Sequence, residues 1–478
     1  MIISTMARDV SDQTISQIAR SGTGAAARLD VAVVACVVIG LGIRLAAASG
    51  GPWLDEIWSW EIARSGDVLV AHDNNHLLNT LWLWLMRDIT STLAWRLPAA
   101  VCGAASVWVA AVILRRLGRE HALVGALLVA VAHPLVVYQS EARGYSSMLL
   151  CLLIAIELQL RMLHATGSRR VLRMAMMLTA TAGVLSHLSF SAVYVLIAMA
   201  AMLMHRFSRQ AILDHAGGLV MTGIWWLSFG RRMSIGGGPE LSVIDVLSHA
   251  AADVIGYGAA WGTAPIWIVA GAVAVSAVML FQRNRALAIL LIAIVIAYPL
   301  IVLLARDRLV YVRYFLPAIV CGLLLLSAAI GELISRRPTC LAGVVLLLVM
   351  AKCHAVRDIP LLAHGRDRHA LAIAEIMRSS PERPTVGSDA DFQLRTILDY
   401  YAHLNGSASV PKAAFVDDAP QWLVVMHHPS PQLLVSGGYA YELDTSYKAH
   451  ALSGIPWQIY RRGLELGRKS DSAQTLAE

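Results

Sequence analysis

Charge is scarce in this sequence. Only 15% of its 478 residues are Asp, Glu, Lys or Arg, against 57% hydrophobic residues. A soluble domain seldom exceeds roughly half apolar, so the composition argues against a water-soluble enzyme and places the chain in the membrane class. Cysteine is scarce and confined. Cys36, Cys102, Cys151, Cys321, Cys340 and Cys353 all lie in or at the end of apolar runs. With none in the polar loops, neither a disulfide framework nor a thiolate metal site is indicated. Neither GxxxxGK[ST] nor GxGxxG after a strand is present, which removes the phosphate cradle of an ATP-driven pump, and HExxH is absent too. The formal charge of +7 does not point to nucleic acid as a partner. The basic residues sit in short connections between apolar runs, where they orient a chain in the bilayer.

Apolar runs near bilayer length are what the chain does have. They cover 30–49, 97–114, 121–138, 145–163, 171–187, 189–204, 211–229, 261–281, 287–304, 314–331 and 339–354, which predicts a polytopic α-helical membrane protein with about 11 transmembrane helices. With the N-terminus inside, the cytoplasmic loops are RRLGREH (115–121), HATGSRRVLR (164–173), HRFSRQ (205–210), QRNR (282–285) and ELISRRP (332–338), and every one is basic. The chain is therefore expected in the cytoplasmic (plasma) membrane, with 50–96, 139–144, 231–260, 305–313 and everything after about 355 outside. Counting LLNTLWLWLM (77–86) as a crossing would break this alternation, so it reads as an interfacial or re-entrant helix with Trp82 and Trp84 at headgroup level. The run 29–49 ends in AAASG like a signal peptide, but the polar leader and the many later spans favour an uncleaved helix. The expected domains are a disordered leader (1–28), a membrane domain (29–354), a small external α/β domain (355–462) and a disordered tail (463–478). In the α/β domain PTVGSD, QWLVVMHH and PWQIYRR read as strands, and RTILDYYAHL as helix.

Two external segments carry most of the chemistry. WLDEIWSW (53–60) holds Asp55 and Glu56 among apolar neighbours that keep both carboxylates near the bilayer surface. A carboxylate so placed serves as a general base or as a ligand to a divalent cation such as Mg or Mn; the alternative is a hydrated loop. His76 follows Asp73-Asn74-Asn75 and sits one turn from His72, open to a structural, catalytic or metal role. In SEARGYS (140–146), Arg143 either snorkels to the interface or pairs with Asp55, Glu56 or a substrate phosphate, with the Tyr145 hydroxyl beside it. ARDRLVYVRYFLP (305–317) sets Arg306, Arg308 and Arg313, next to Tyr314, on an external edge that the positive-inside bias disfavours. Such guanidinium groups match phosphate, with lipid headgroup contact as the alternative. Arg231 and Arg232 form a less specific external basic pair, and His187 reads as a structural histidine.

These pieces, in this order, resemble the GT-C membrane glycosyltransferases. The branch most similar is glycosyltransferase family 39, with the protein O-mannosyltransferases and aminoarabinose–lipid A transferases. The resemblance is carried by the Asp-Glu of WLDEIW, DNNHLLNTL, AWRLPAAVCG, SEARGYSSMLL, VRYFLPAIV and the tail ending LSGIPWQIYRR, from about 30 to 462. It implies a GT-C-like fold, a polyprenyl-phosphate sugar donor drawn from the membrane lipid, and inverting transfer on the external face to a glycan, lipid or protein acceptor. It implies Asp55 as the base with Glu56 beside it, and Arg143 with Arg306, Arg308 and Arg313 at the leaving phosphate. Two departures stand out. The family's His-Pro-Pro is His76-Leu77-Leu78 here, and its Asp after the RY-type motif is replaced by Ser146, Ser147 and Met148, so protein O-mannosylation does not carry over. The competing expectations are a transporter or flippase of a lipid-linked or anionic substrate, and a non-catalytic scaffold. The transporter would place its charges near mid-membrane, where Glu157 is the one notable carboxylate.

Overall fold

A computed structural model describes residues 31–233, 242–257, 262–305, 310–380, 382–426, 432–448, 452 and 455–465. The predicted leader and most of the predicted tail, along with Arg306 and Arg308, lie outside the described residues. Each predicted apolar run falls on helix. Among the described residues six helical stretches are long and apolar enough to cross a membrane: Thr92–Arg115, Tyr145–His164, Ala264–Arg283, Arg285–Ala305, Val312–Ser335 and Arg337–Arg378. Val31–Ala47 and Phe190–Met204 are apolar but shorter. The other expected spans are helical yet shorter or more polar, so about 11 crossings is not confirmed by helix length and composition. LLNTLWLWLM forms the nine-residue helix Leu77–Leu85, far short of a bilayer.

The expected run 121–138 is two helices, Arg119–Val131 and His133–Tyr138, with Ala132 extended between them. Pro134 explains the break, because it has no N–H to give the carbonyl four residues back. Arg44, buried on Val31–Ala47, fills the gap. Its guanidinium donates to the Val129 and Ala130 carbonyls at 3.0 Å each and to Gln139 Oε1 at 2.6 and 3.0 Å. Thus an arginine inside the helix Val31–Ala47 ties down the start of the 139–144 loop. The run expected to end at 354 continues as one helix, Cys340–His364. Its polar residues are absorbed by partners: His133 Nδ1 lies 2.6 Å from Asp358, and Arg357 donates to Asp253 at 2.5 Å.

At one end of the bundle arginines neutralise the few carboxylates. Glu157 accepts from Arg116 and Arg161 at 2.7 Å, Asp214 from Arg169 and Arg173, and Glu332 pairs with Arg283 and Arg336. These residues come from or adjoin the loops predicted to share the cytoplasmic side, and the fold gathers them. Glu157 is accordingly a helix-end ion pair and no longer favours a transport pathway.

The C-terminal part is a six-stranded mixed sheet in the order β2-β1-β3-β6-β5-β4. β1 (Thr385–Ser388) pairs in parallel with β2 (Lys412–Ala413) and β3 (Trp422–Val425), whereas β4 (Leu433–Ser436), β5 (Tyr439–Tyr447) and β6 (Trp457–Glu465) are antiparallel. The three predicted strands are β1, β3 and β6, and the predicted helix is Asp391–Asn405. The β4–β5 hairpin was missed, although Gly437-Gly438, both at positive φ, is a strong two-residue turn signal. This domain seats on the first loop through Trp53, Trp60 and Trp95, which pack with Ile397, Tyr400, Trp422 and Trp457 in one buried cluster. Trp60 stacks on Trp95 at 5.9 Å and meets Tyr400 edge-on at 5.4 Å.

Glu61 lies at this junction. Burial, then the nearby Asp399 charge, raise its carboxyl to about 7 against the pull of Arg64. A raised acid contributes its stability below the ordinary carboxylate range and loses it as pH rises through about 7. Glu61→Gln is expected to leave the thermal midpoint unchanged at low pH, about 4, and to exceed wild type at about pH 8. Scanning fluorimetry at the two values checks this; an equal gap at both would show that Glu61 is not held protonated.

Candidate active site

Asp55 and Glu56 fall in the first turn of the helix Leu54–Ser65, where the macrodipole favours acids. Successive helical residues project roughly 100° apart, so the two carboxylates face different neighbours. Glu56 turns inward and is fully buried. It accepts from Arg96 Nε at 2.8 Å, Arg96 Nη2 at 2.6 Å, the Ala142 N–H at 2.6 Å and the Trp53 N–H at 3.2 Å. Burial alone would raise its carboxyl, but the Arg96 guanidinium outweighs this and holds it below the usual range. Arg96 also donates to the carbonyls of Ala48, Gly50 and Gly51. Glu56 is therefore the knot between the first loop and the 139–144 loop.

Asp55 turns outward, with 14% of its side chain exposed. Its Oδ2 pairs with Arg143 Nη1 and lies 3.8 Å from Arg313 Nη1. Arg143 Nε and Nη2 reach His76 Nε2 at 3.1 and 2.9 Å. Since arginine only donates, Nε2 is the acceptor and the ring proton resides on Nδ1. Burial first, then the charge of Arg143, push His76 well below its ordinary value, so the imidazole is neutral. His76 also stacks on His187 at 4.7 Å and lies 5.5 Å from Tyr145. Arg143 rests over Trp53 and Tyr145, and Arg313 over Tyr311 and Tyr314.

Two cavities meet here. The first, of about 280 Å³, is lined by His76, Arg143, Tyr145, Arg313 and Tyr314 at its polar end, with Trp226, Ile301 and Val302 among its apolar walls. The second, of about 380 Å³, is lined by Asp55, Trp58, Asn74, Tyr311, Phe392 and Gln393. Asp73, Arg313 and Tyr314 belong to both. The structure thus brings together Asp55, His76, Arg143, Tyr145, Arg313 and Tyr314, from four separate stretches of sequence. Glu56 lines neither cavity. Arg231 and Arg232 are exposed.

As a cation site, Asp55 and Glu56 fit poorly. Both Glu56 oxygens are engaged by Arg96, and Asp55 Oδ2 faces two guanidinium groups. Among the described residues no group of three or more His, Cys, Asp or Glu is arranged to hold a metal ion.

The 139–144 loop is held on every side. Arg366, fully buried, donates to Glu141, Ser140 and the Val137 carbonyl, while Asn79 donates to the Ala142 carbonyl at 2.6 Å. Gly144 permits the close approach. A Cβ there would collide with the Ser186 carbonyl and stand 3.0 Å from His76 Cβ. Gly144→Ala is expected to displace Arg143 or His76 and to cost about 1–3 kcal/mol of stability, the usual range for overpacking a close contact. Chemical denaturation checks it; a wild-type midpoint would show that the loop relaxes freely.

His187, taken from sequence as structural, lines the first cavity together with Ser189 and Ser191. A signal existed, since the loop alternation puts residue 187 at the same end as Arg143. Trp58 and Phe392 were not singled out, and nothing local relates them.

No protein-family model matches the chain, and comparison with curated proteins gives no match. Solved structures do match. ArnT from Cupriavidus metallidurans superposes with a TM-score of 0.51 at 16% identity, over 90% of this chain and 97% of that one. The arabinofuranosyltransferase AftD from Mycobacteria gives 0.47 at 15% identity, over 91% of this chain and 40% of its own. The Archaeoglobus fulgidus oligosaccharyltransferase gives 0.48 at 10% identity, over 80% and 64%. The likeness is one of fold: the chain has the GT-C fold of membrane glycosyltransferases.

Proposed function

We propose that this protein is an inverting membrane glycosyltransferase that moves a sugar from a polyprenyl-phosphate donor to an acceptor at the external face of the cytoplasmic membrane. One observation carries the reading: the Asp55 carboxylate of the second cavity is flanked by Arg143 of the first cavity and by Arg313, which lines both. In this reading the donor's phosphate enters the first cavity, where Arg143 and Arg313 meet its charge and the apolar wall follows the lipid. The acceptor reaches Asp55 from the second cavity.

An acceptor hydroxyl oxygen attacks the anomeric carbon from the face opposite the phosphate. As the new C–O bond forms, the bond from the anomeric carbon to the phosphate oxygen breaks, and its electron pair leaves with the phosphate. The hydroxyl proton passes to the Asp55 carboxylate, acting as general base. Arg143 and Arg313 stabilise the charge that grows on the departing phosphate. Both guanidinium contacts fall on Asp55 Oδ2, which leaves Oδ1 for the incoming proton. Neutral His76 orients Arg143, and the Glu56–Arg96 pair holds the helix that presents Asp55.

The reading is tested by incubating the purified protein with native membranes carrying radiolabelled sugar. Label is expected to leave the polyprenyl-phosphate fraction and appear in a glycan, lipid or protein fraction with inverted anomeric configuration. Translocation of the lipid-linked sugar without transfer would favour the flippase alternative.

A further inference from the structure

The second cavity has walls of a particular chemistry, and one of them comes from the C-terminal domain. Trp58 projects from the first-loop helix and is steadied by His72 at 4.4 Å between ring centroids. Phe392, in the first turn of Asp391–Asn405, also approaches it, to 5.1 Å between ring centroids at 58°. Phe392 remains 54% exposed despite its place in a domain with a formed core. Between these rings and Asp55 the lining includes Asn74 and Gln393, planar amides that both donate and accept.

We infer that this cavity is an acceptor site for an uncharged saccharide, shared between the first loop and the C-terminal domain. The inference rests on the glycosyltransferase reading and names its acceptor class. A sugar ring has an apolar C–H face and a rim of hydroxyls, so it suits an aromatic wall bordered by amides and carboxylates. An anionic lipid headgroup fits less well, since two carboxylates, Asp55 and Asp73, line the space against the one guanidinium of Arg313. Seated against Trp58 and Phe392, a saccharide places a hydroxyl toward Asp55, in the cavity whose Arg313 and Tyr314 also line the first. The C-terminal domain then selects the acceptor, and the bundle carries the donor.

The test uses the full-length protein in lipid nanodiscs. Saturation-transfer NMR follows binding of a panel of neutral pentose and hexose di- and trisaccharides, and thermal shift follows undecaprenyl phosphate. Wild type is expected to bind at least one saccharide. Trp58→Ala and Phe392→Ala each weaken it about tenfold, Trp58→Phe retains most of it, and undecaprenyl phosphate binding is unchanged throughout. Phe392 is exposed enough for its replacement to leave the fold intact. Three results overturn the inference: no saccharide bound by wild type, saccharide binding insensitive to both alanine variants, or both variants abolishing undecaprenyl phosphate binding instead. If wild type binds a saccharide but not undecaprenyl phosphate, the donor assignment fails while the saccharide site stands.

Discussion

Transfer by Asp55→Asn is expected to fall by about 10²–10⁴-fold, the usual contribution of a positioned general base. The amide keeps the side-chain volume but cannot take up the acceptor proton. Asp55 is partly exposed and makes its contacts through Oδ2 to Arg143 and Arg313. Its replacement therefore costs attraction to two cations without opening a cavity in the core. Because those two guanidinium groups then face each other without an anion, thermal stability has to be measured beside activity. Asp55→Glu supplies the control, since it retains the charge while moving the carboxylate by one methylene. Both variants are expected to bind undecaprenyl phosphate, the asparagine variant at least as well as wild type because a competing anion has gone. Asparagine retaining more than about a tenth of wild-type turnover would remove Asp55 from the role of base.

Arg143→Lys carries the second large effect, an expected loss of about 10²–10³-fold in turnover, as for removal of one preorganised donor to a developing charge. Lysine has one ammonium, whereas the guanidinium of Arg143 serves Asp55 through Nη1 and His76 through Nε and Nη2 at once. Weaker undecaprenyl phosphate binding should accompany the loss, because the same group faces the cavity assigned to the donor. A spectroscopic readout separates this from simple misfolding. The Arg143 charge is the second cause, after burial, of the depressed His76 titration. In Arg143→Gln the His76 resonance should titrate closer to its ordinary value. Unaltered titration together with unaltered phosphate binding would mean that Arg143 acts only through packing.

Much of this arrangement could be read from the residues. Apolar runs bounded by basic loops marked the helices, and the alternation of those loops predicted which charges would share an end of the bundle. Asp55, His76, Arg143, Arg313 and Tyr314 could be grouped because each stood at the same predicted edge. The Pro134 break and the Gly437-Gly438 turn were available in the chain and passed over, the first hidden within an otherwise apolar run.

Other features were settled only by long-range packing. Asp55 and Glu56 are equivalent as neighbours in a string. The helix sends one outward to a cavity and the other inward to Arg96, because adjacent residues diverge by roughly 100° and only one direction meets water. His187 gained its place when Gly144 let the 139–144 loop press against the 186–187 turn. Phe392 reached Trp58 because a tryptophan-rich face of the first loop buried itself against the sheet domain, a contact set by shape and apolar area that no local spacing encodes. Composition and loop charge thus marked the membrane class and predicted the residues that share one end; tertiary packing decided which carboxylate faces the second cavity and which distant rings line it, because those contacts join segments far apart in the chain.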